Sequence, residues 1–523
     1  MDVDIEKLPD NAEALKAVIV DLQHHYEKEV DFLIEQIRLL RAQMYGKRSE
    51  KIVSEYRDAE VPLFDMPEPE DVPEKEISVS SHTRKKRGRR PLPEDLPRVE
   101  RVHDIPEEEK VCACGEKLVR IGEEVSEKLD IVPARIQVIR DIRPKYACRK
   151  CEGMESDAPA VRIAPPAPAI LPKSIATPGL LAHILTAKFV DHMPFYRQEK
   201  QFERLGIELS RRNMCKWAIK VASACQPLLN LCREEILEGY CINIDETVVQ
   251  VLDEPGRDAR TRSYMWIFQR GDPERPVLIY EYHPTRSGDV ASRFLEDYRG
   301  YVQTDGYAGY DFLDMKSGVS HIGCWAHVRR KFHDIVKASG SNRKKAGSAD
   351  VALGYIRKLY HLESVARKSM LGPEEIQRMR EEQARPILSK FHDWLQKRSC
   401  HVPPKGLLGK AISYTLNQWD RLIGYVEDGR LSIDNNSAEN AIRPFVIGRK
   451  NWLFAGTPEG AKASALLYSL IETAKANGLE PYSYLRHIFE KLPLSEKLAD
   501  YEALLPWNLD PQNLVLASVK EGV

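Results

Sequence analysis

The sequence predicts a multidomain α/β protein, and three observations carry that reading. An apolar repeat at heptad spacing opens the chain, two close cysteine pairs follow a Pro-rich acidic tract, and short strands alternate with helices in the second half. At roughly one to two hundred residues per domain, 523 residues hold three or four units. The 78 Lys and Arg nearly cancel 79 Asp and Glu, which excludes a global polycation, so a nucleic-acid partner has to be met by local patches. No run approaches the roughly 18 apolar residues of a membrane helix. The acidic start lacks the basic-then-apolar order of a secretory signal. The expectation is a soluble, cytosolic chain, and paired cysteines in a reducing compartment point to metal rather than disulfides.

Residues 1–48 read as a coiled-coil helix. Leu15, Ile19, Leu22, Tyr26, Glu29, Leu33, Ile37, Leu40 and Met44 recur at steps of three and four, and all but Glu29 are apolar. Such a seam is buried by self-association; Glu29 and the extra residue between Leu33 and Ile37 weaken it. Residues 49–100 are a linker, with Pro62, Pro67, Pro69 and Pro73 among acidic residues. Within it lies a basic run of Arg84, Lys85, Lys86, Arg87, Arg89 and Arg90. Such a run either releases counterions on a DNA backbone or balances the acidic stretch before it.

Residues 101–158 carry Cys112, Cys114, Cys148 and Cys151. Four thiolates close a tetrahedral Zn²⁺ shell and supply folding energy to a segment too small for its own core. The one-residue gap between Cys112 and Cys114 is tighter than usual, which leaves His103 as a replacement ligand. Alternation over Lys128–Val132 and Ile136–Ile142 predicts short strands. A Pro-rich hinge then leads to a helical segment over 170–235. There Leu180–Val190, Phe195–Leu205 and a helix capped by Ser210 are compatible with a helix-turn-helix presenting Arg211, Arg212 and Lys216.

The chemistry concentrates in residues 236–475. An apolar run from Cys241 ends in Asp245 and continues over Val248–Leu252; Tyr264–Phe268 and Val277–Tyr282 form a hairpin around a Gly-Asp-Pro turn. A helix over Asp289–Asp297, a strand from Tyr301 to Asp305, and a fifth strand from His321 to Trp325 follow. Three antiparallel strands, a helix and a strand returning beside the first is the order of a ribonuclease-H-like core. Carboxylates at the ends of its first and fourth strands face each other, as two-metal phosphoryl transfer with Mg²⁺ or Mn²⁺ requires. The third carboxylate is expected from a helix, with Glu439 the candidate and Asp434 the runner-up. Arg443, one turn on, would meet a phosphate. The structural alternative makes Glu439 the far half of a capping box on Asn436, and Pro444 implies a break nearby.

These segments resemble a known family. INIDET, YVQTDGYAGY, GCWAHVRRKF and DNNSAENAIRPFVIGRKNWLF are similar to the DDE transposases of bacterial insertion sequences, more narrowly the insertion-sequence sixty-six family, whose transposase is often called TnpC. The resemblance extends to MYGKRSEK after the zipper, the cysteine pairs and PYSYLRHIFEKLP in the C-terminal segment, 476–523. It implies that Asp245, Asp305 and Glu439 are the catalytic triad. It also implies a helical insertion, about 340–428, between the second and third members, and element-encoded helper proteins. The gap from Asp305 to Glu439 is indeed more than twice that from Asp245 to Asp305.

Two features stand apart. His321, Cys324 and His327 recur at intervals of three, which reads as a helix start beside the basic face Arg329, Arg330 and Lys331, or as a metal site lacking a clear fourth ligand. Arg449, Lys450 and Trp452 set an aromatic among cations, suited either to stacking an unpaired base or to the core. The reading is a transposase that dimerises through its N-terminal helix, binds double-stranded element ends, hydrolyses them and joins the 3′ ends to target DNA in the bacterial cytoplasm, at the nucleoid. The rivals are a nuclease or resolvase without strand transfer, and a domesticated zinc DNA-binding protein.

Overall fold

The computed structural model describes residues 136–147, 161–338 and 347–514, with seven isolated positions between Asn11 and Leu33. The chain divides into two compact units, Pro69–Pro166 and the remainder. Among the N-terminal positions, Lys16, Ile19, Gln23, Tyr26, Val30 and Leu33 are helical and exposed. Ile19, Tyr26 and Leu33, 54%, 71% and 53% exposed, belong to the apolar seam.

In the smaller unit β1 (Lys145–Ala147) pairs antiparallel with β2 (Val161–Ile163). The strand expected over Ile136–Ile142 does not form. That segment is irregular, and Ile136, Val138, Ile139 and Ile142 are exposed. Alternation alone makes no strand without a neighbouring ladder to satisfy its amides. His103, the basic run Arg84–Arg90, Lys128–Val132 and all four paired cysteines lie outside the described residues.

From Ala167 on, the larger unit opens with four helices: α1 (Pro178–Phe189), α2 (Phe195–Arg204), α3 (Arg211–Ala224) and α4 (Gln226–Leu237). Thr177 and Ser210 cap α1 and α3 with side-chain oxygens that accept from Leu180 N and Asn213 N. After α2, Gly206 takes φ +76°, and Ile207 N donates back to Phe202 O at 2.9 Å, a Schellman stop. These helices share one continuous core with the sheet that follows: Leu185, Met214, Val221 and Leu228 join Ile244, Phe268 and Tyr280.

The sheet has the order β5-β4-β3-β6-β7. Its strands are β3 (Cys241–Gln250), β4 (Arg262–Arg270), β5 (Leu278–His283), β6 (Gly300–Gln303) and β7 (Val319–Ile322). The first three are antiparallel; β6 and β7 run parallel to β3, with α5 (Asp289–Phe294) in the crossover. The outer edge of β5 is covered by α13 (Pro458–Ala476). Ser469 Oγ accepts from Tyr280 N, and Thr473 Oγ1 accepts from Leu278 N. The exposed amide row of an edge strand is thereby satisfied by a helix.

After β7 comes α6 (Trp325–Ala338), and then α7 (Ser348–Lys368), α8 (Pro373–Met379), α9 (Arg385–Ser399), α10 (Leu407–Asn417) and α11 (Trp419–Ile423). They build a second core around Trp325, Phe332, Ile356, Phe391 and Ile412. The chain then returns to the sheet through α12 (Asn436–Trp452), and α14 (Pro481–Lys491) and α15 (Leu498–Glu502) follow α13. No described helix is long and apolar enough to cross a membrane.

The break expected at Pro444 is absent, since α12 is continuous from Asn436 to Trp452. Proline leaves Asn440 O without its helical donor. The helix is held from outside, where it packs across β3 and β4 and the Tyr280 hydroxyl donates to Ala441 O.

One buried cation organises the segment leading to α12. Arg380, 2% exposed, pairs with Glu363 and donates to the carbonyls of Tyr425, Asp428 and Leu431. Removing it strands a carboxylate and three carbonyls. Arg380→Ala is therefore expected to lower the unfolding free energy by about 3 kcal/mol, read by urea denaturation. An unchanged midpoint would remove Arg380 from this role.

Candidate active site

The geometry starts from the register of two strands. β3 and β6 pair in parallel, and Asn243 opposite Gln303 is their last pair. Asp245 on β3 and Asp305, just past the end of β6, each stand two residues beyond it. β3 runs on past Asp245 to Gln250, joining the expected runs from Cys241 and Val248 into one strand, because β4 pairs with it from Ile242 through Gln250. It is β6 that stops, and Asp245 lies where it stops.

The third carboxylate arrives on α12. Asn436, the expected N-cap, is the first residue of the helix; the cap is Asn435, which makes no side-chain cap, so the capping box does not form. Glu439 instead turns to α6, where Arg330 Nη2 donates to its Oε2 at 3.1 Å. Its other oxygen, Oε1, is buried, has no hydrogen-bond partner among the described residues and lies 3.6 Å from His327 Nε2. Asp434 is 1% exposed and accepts from Tyr360 OH at 2.6 Å, which gives it a structural role between α12 and α7.

A frame of buried amides, missed in the sequence, fixes these parts. Asn243 Nδ2 donates to both Gln303 Oε1 and Asn435 Oδ1, each at 2.9 Å. Asn435 Nδ2 donates to Ile244 O, and Gln303 Nε2 donates to Ser432 O, again at 2.9 Å. β3, which carries Asp245, and β6, which leads into Asp305, are thus bonded to the turn that launches Glu439. The only sequence signal was polar residues two positions before each aspartate, inside apolar runs.

Asp305 Oδ1 accepts from Tyr307 N at 2.9 Å. Gly306 is required beside it, because a Cβ there would collide with the Tyr414 ring of α10. Glu246, next to Asp245 and also missed, is buried against Arg286 and Tyr310, and the Arg286 guanidinium covers the Tyr307 ring at 3.6 Å. Burial, and then the negative charges of Glu246, Asp305 and Glu439, hold the Asp245 carboxyl well above the usual range, against the opposing N–H of Glu246. Burial lowers His327, against the raising influence of Glu439 and Asp305. Asp305 and Glu439 are thus near enough to Asp245 to raise its carboxyl, and one Glu439 oxygen stays buried without a hydrogen-bond partner among the described residues.

His321 leaves the group expected with Cys324 and His327. Its Nε2 meets Thr304 Oγ1 at 2.8 Å and its Nδ1 meets Asp314 at 2.9 Å. On α6, Arg329 and Lys331 are exposed, with the Lys331 ammonium 4.2 Å from the Tyr414 ring. On α12, Arg443 is half-buried one turn beyond Glu439, Arg449 donates to Thr247 Oγ1 at 3.1 Å, and Lys450 is exposed. Trp452 packs edge-on against Phe445 and beneath Lys188, which is its core alternative. Arg211, Arg212 and Lys216 are exposed on α3.

Comparison with known proteins agrees along the chain. Residues 173–463 match the model of the transposase IS66 family, and 469–507 match the IS66 C-terminal element. Residues 109–152 match the zinc-finger binding domain of transposase IS66, and 33–101 match a model described as transposase C of IS166 homeodomain. Two uncharacterized proteins of Sinorhizobium fredii are similar over nearly their whole length. One, y4qI, is 30% identical, covering 97% of this chain and 98% of its own. The other, y4jD, is 32% identical, covering 96% and 97%. No solved structure matches.

Two outcomes follow. Asn435→Ala leaves buried partners unsatisfied, and should cost about 1–3 kcal/mol in urea denaturation. The folded pKa of Asp245 lies above its ordinary value of 3.8. Its contribution is fully present below that value and is lost as pH rises through the folded pKa. Metal-free protein should therefore lose melting temperature relative to Asp245→Asn as pH rises from that value, and excess Mg²⁺ should close the difference.

Proposed function

The chain belongs to the IS66 transposase family, and on that premise we propose that it cleaves the ends of an insertion sequence and joins their 3′ ends to target DNA. The observation that carries this reading is the matched placement of Asp245 and Asp305 beside Glu439. The strand order β5-β4-β3-β6-β7, with α12 crossing the sheet, supports a ribonuclease-H-like core in which this trio is the DDE triad.

Asp245, Asp305 and Glu439 would hold the catalytic Mg²⁺ or Mn²⁺. When bound, the metal supplies Lewis-acid activation of the attacking oxygen and charge neutralisation at the leaving oxygen. The chain's own residues do the rest. The amide frame keeps the carboxylates in place without motion at the moment of reaction. Arg330, already on Glu439, and Arg443, one turn beyond it, face phosphate charge from two helices. Arg329, Lys331, Arg449 and Lys450 extend the cationic surface along the same helices. Exposed Arg211, Arg212 and Lys216, the basic run Arg84–Arg90 and the zinc finger with Cys112, Cys114, Cys148 and Cys151 would read and hold the ends. The exposed seam of Ile19, Tyr26 and Leu33 suits pairing with a second copy.

The test is DNA from both flanks of the gene, incubated with purified protein and Mg²⁺. Wild type should give nicked ends and joined products. Asp305→Ala should lose cleavage by at least about a hundredfold, since even outer partners of a metal site cost ten- to a hundredfold, while end binding in a gel shift stays intact. Nicking without joining would favour a nuclease. Equal loss of binding and cleavage would remove Asp305 from its assigned role.

A further inference from the structure

We propose that Cys324, His327 and Glu439 form a site for one thiophilic divalent cation of the Zn²⁺ class, which competes with Mg²⁺ for Glu439. The binding stands on the structure alone; the competition rests on the reading of Glu439 as a catalytic ligand.

One ligand atom from each of the three residues lies within 4.8 Å of the others. Cys324 immediately precedes α6 and His327 sits in its first turn, so the Cys-x-x-His spacing puts sulfur and imidazole on one side. Glu439 reaches them from α12 in the place the sequence assigned to His321. Two of the three side chains keep an unpaired polar atom, and the Cys324 sulfur accepts only backbone N–H groups. At 3.6 Å the His327–Glu439 approach is too long for a hydrogen bond, and both Glu439 Oε1 and His327 Nδ1 are buried without a partner among the described residues. The Glu439 side chain is only 9% exposed, so this is an unfilled valence inside the protein rather than at its surface.

The chemistry selects the ion. Mg²⁺ takes hard oxygens and does not use a thiol, whereas sulfur, imidazole and carboxylate together are a zinc set. Three protein ligands leave one position open for water. On binding, the Cys324 thiol proton passes to solvent and the thiolate takes its place on the metal. Asn435 N already donates to the Cys324 sulfur at 3.2 Å, an N–H that stabilises a thiolate. Arg330 need not leave, since it occupies Oε2 and not Oε1. The ion would enter past His327, whose side chain is 23% exposed, because Cys324 is buried. Once there it would withdraw Glu439 from the other two carboxylates, so free zinc would act as a brake on cleavage.

The experiment counts zinc in full-length protein dialysed against a Zn²⁺ buffer, in wild type, Cys324→Ser and His327→Gln. The zinc finger contributes equally to all three. Wild type should retain one more zinc per chain than either variant, with circular dichroism confirming the fold of each; the exposed-side His327→Gln covers the case in which the buried Cys324→Ser fails to fold. In Mg²⁺-supported cleavage, the Zn²⁺ concentration that inhibits should rise at least about tenfold in His327→Gln. Equal zinc counts in all three proteins would overturn the site. An extra zinc without inhibition would uphold the site and overturn the competition, and with it the role of Glu439. Absence of cleavage by wild type in Mg²⁺ would tell against the proposed function alone, since the zinc count reads the site without it.

Discussion

Everything at the centre of this molecule hangs on side-chain amides buried among apolar strands. Asn243, Gln303 and Asn435 are 4%, 1% and 1% exposed, and bond to each other or to backbone carbonyls. Such groups are costly to bury unless satisfied, so they permit few arrangements. A slip of either strand by one residue would turn Asn243 or Gln303 to the opposite face and break the set. The same bonds that specify register hold two aspartates side by side and aim the helix that brings the glutamate. Fold specificity and site geometry are one constraint here.

The surroundings of these carboxylates also show how charge is divided. Glu246 is answered locally by Arg286 and Tyr310, and Glu439 is half answered by Arg330. Asp245 has a single backbone N–H against burial and three neighbouring carboxylates. The protein therefore folds around an uncompensated negative focus, and positive charge waits on α6 and α12 at its margins. That distribution favours a multivalent cation inside and a polyanion outside.

Much of this was legible in the residues. The five strands were visible as short apolar runs, and their order followed from the hairpin and the crossover. Asp245 and Asp305 stood out as carboxylates ending apolar runs, and Glu439 as the candidate on a helix, with the family resemblance joining the three. What was not legible depended on partners remote in sequence. Ile136–Ile142 alternates like a strand but has no ladder to join. Pro444 reads as a stop, yet the packing of α12 and the Tyr280 hydroxyl carry the helix through it. His321 shares a spacing with Cys324 and His327 but is claimed by Thr304 and Asp314, while Glu439, more than a hundred positions away, takes the vacant corner. Spacing along the chain tells which residues can meet, and packing decides which do.

The helices between Asp305 and Glu439 look like an accessory, an excursion with a core of its own. Three contacts say otherwise. Tyr414 leans on Gly306, Tyr360 holds Asp434, and Arg380 gathers the carbonyls of the return segment. The first two tie the excursion to residues close to Asp305 and Glu439, and the third ties it to the segment that leads into α12. A shortened chain that spliced the strands directly to α12 would keep all three acids and lose the scaffold that orients two of them. The insertion is thus a wall of the candidate site rather than a passenger on it.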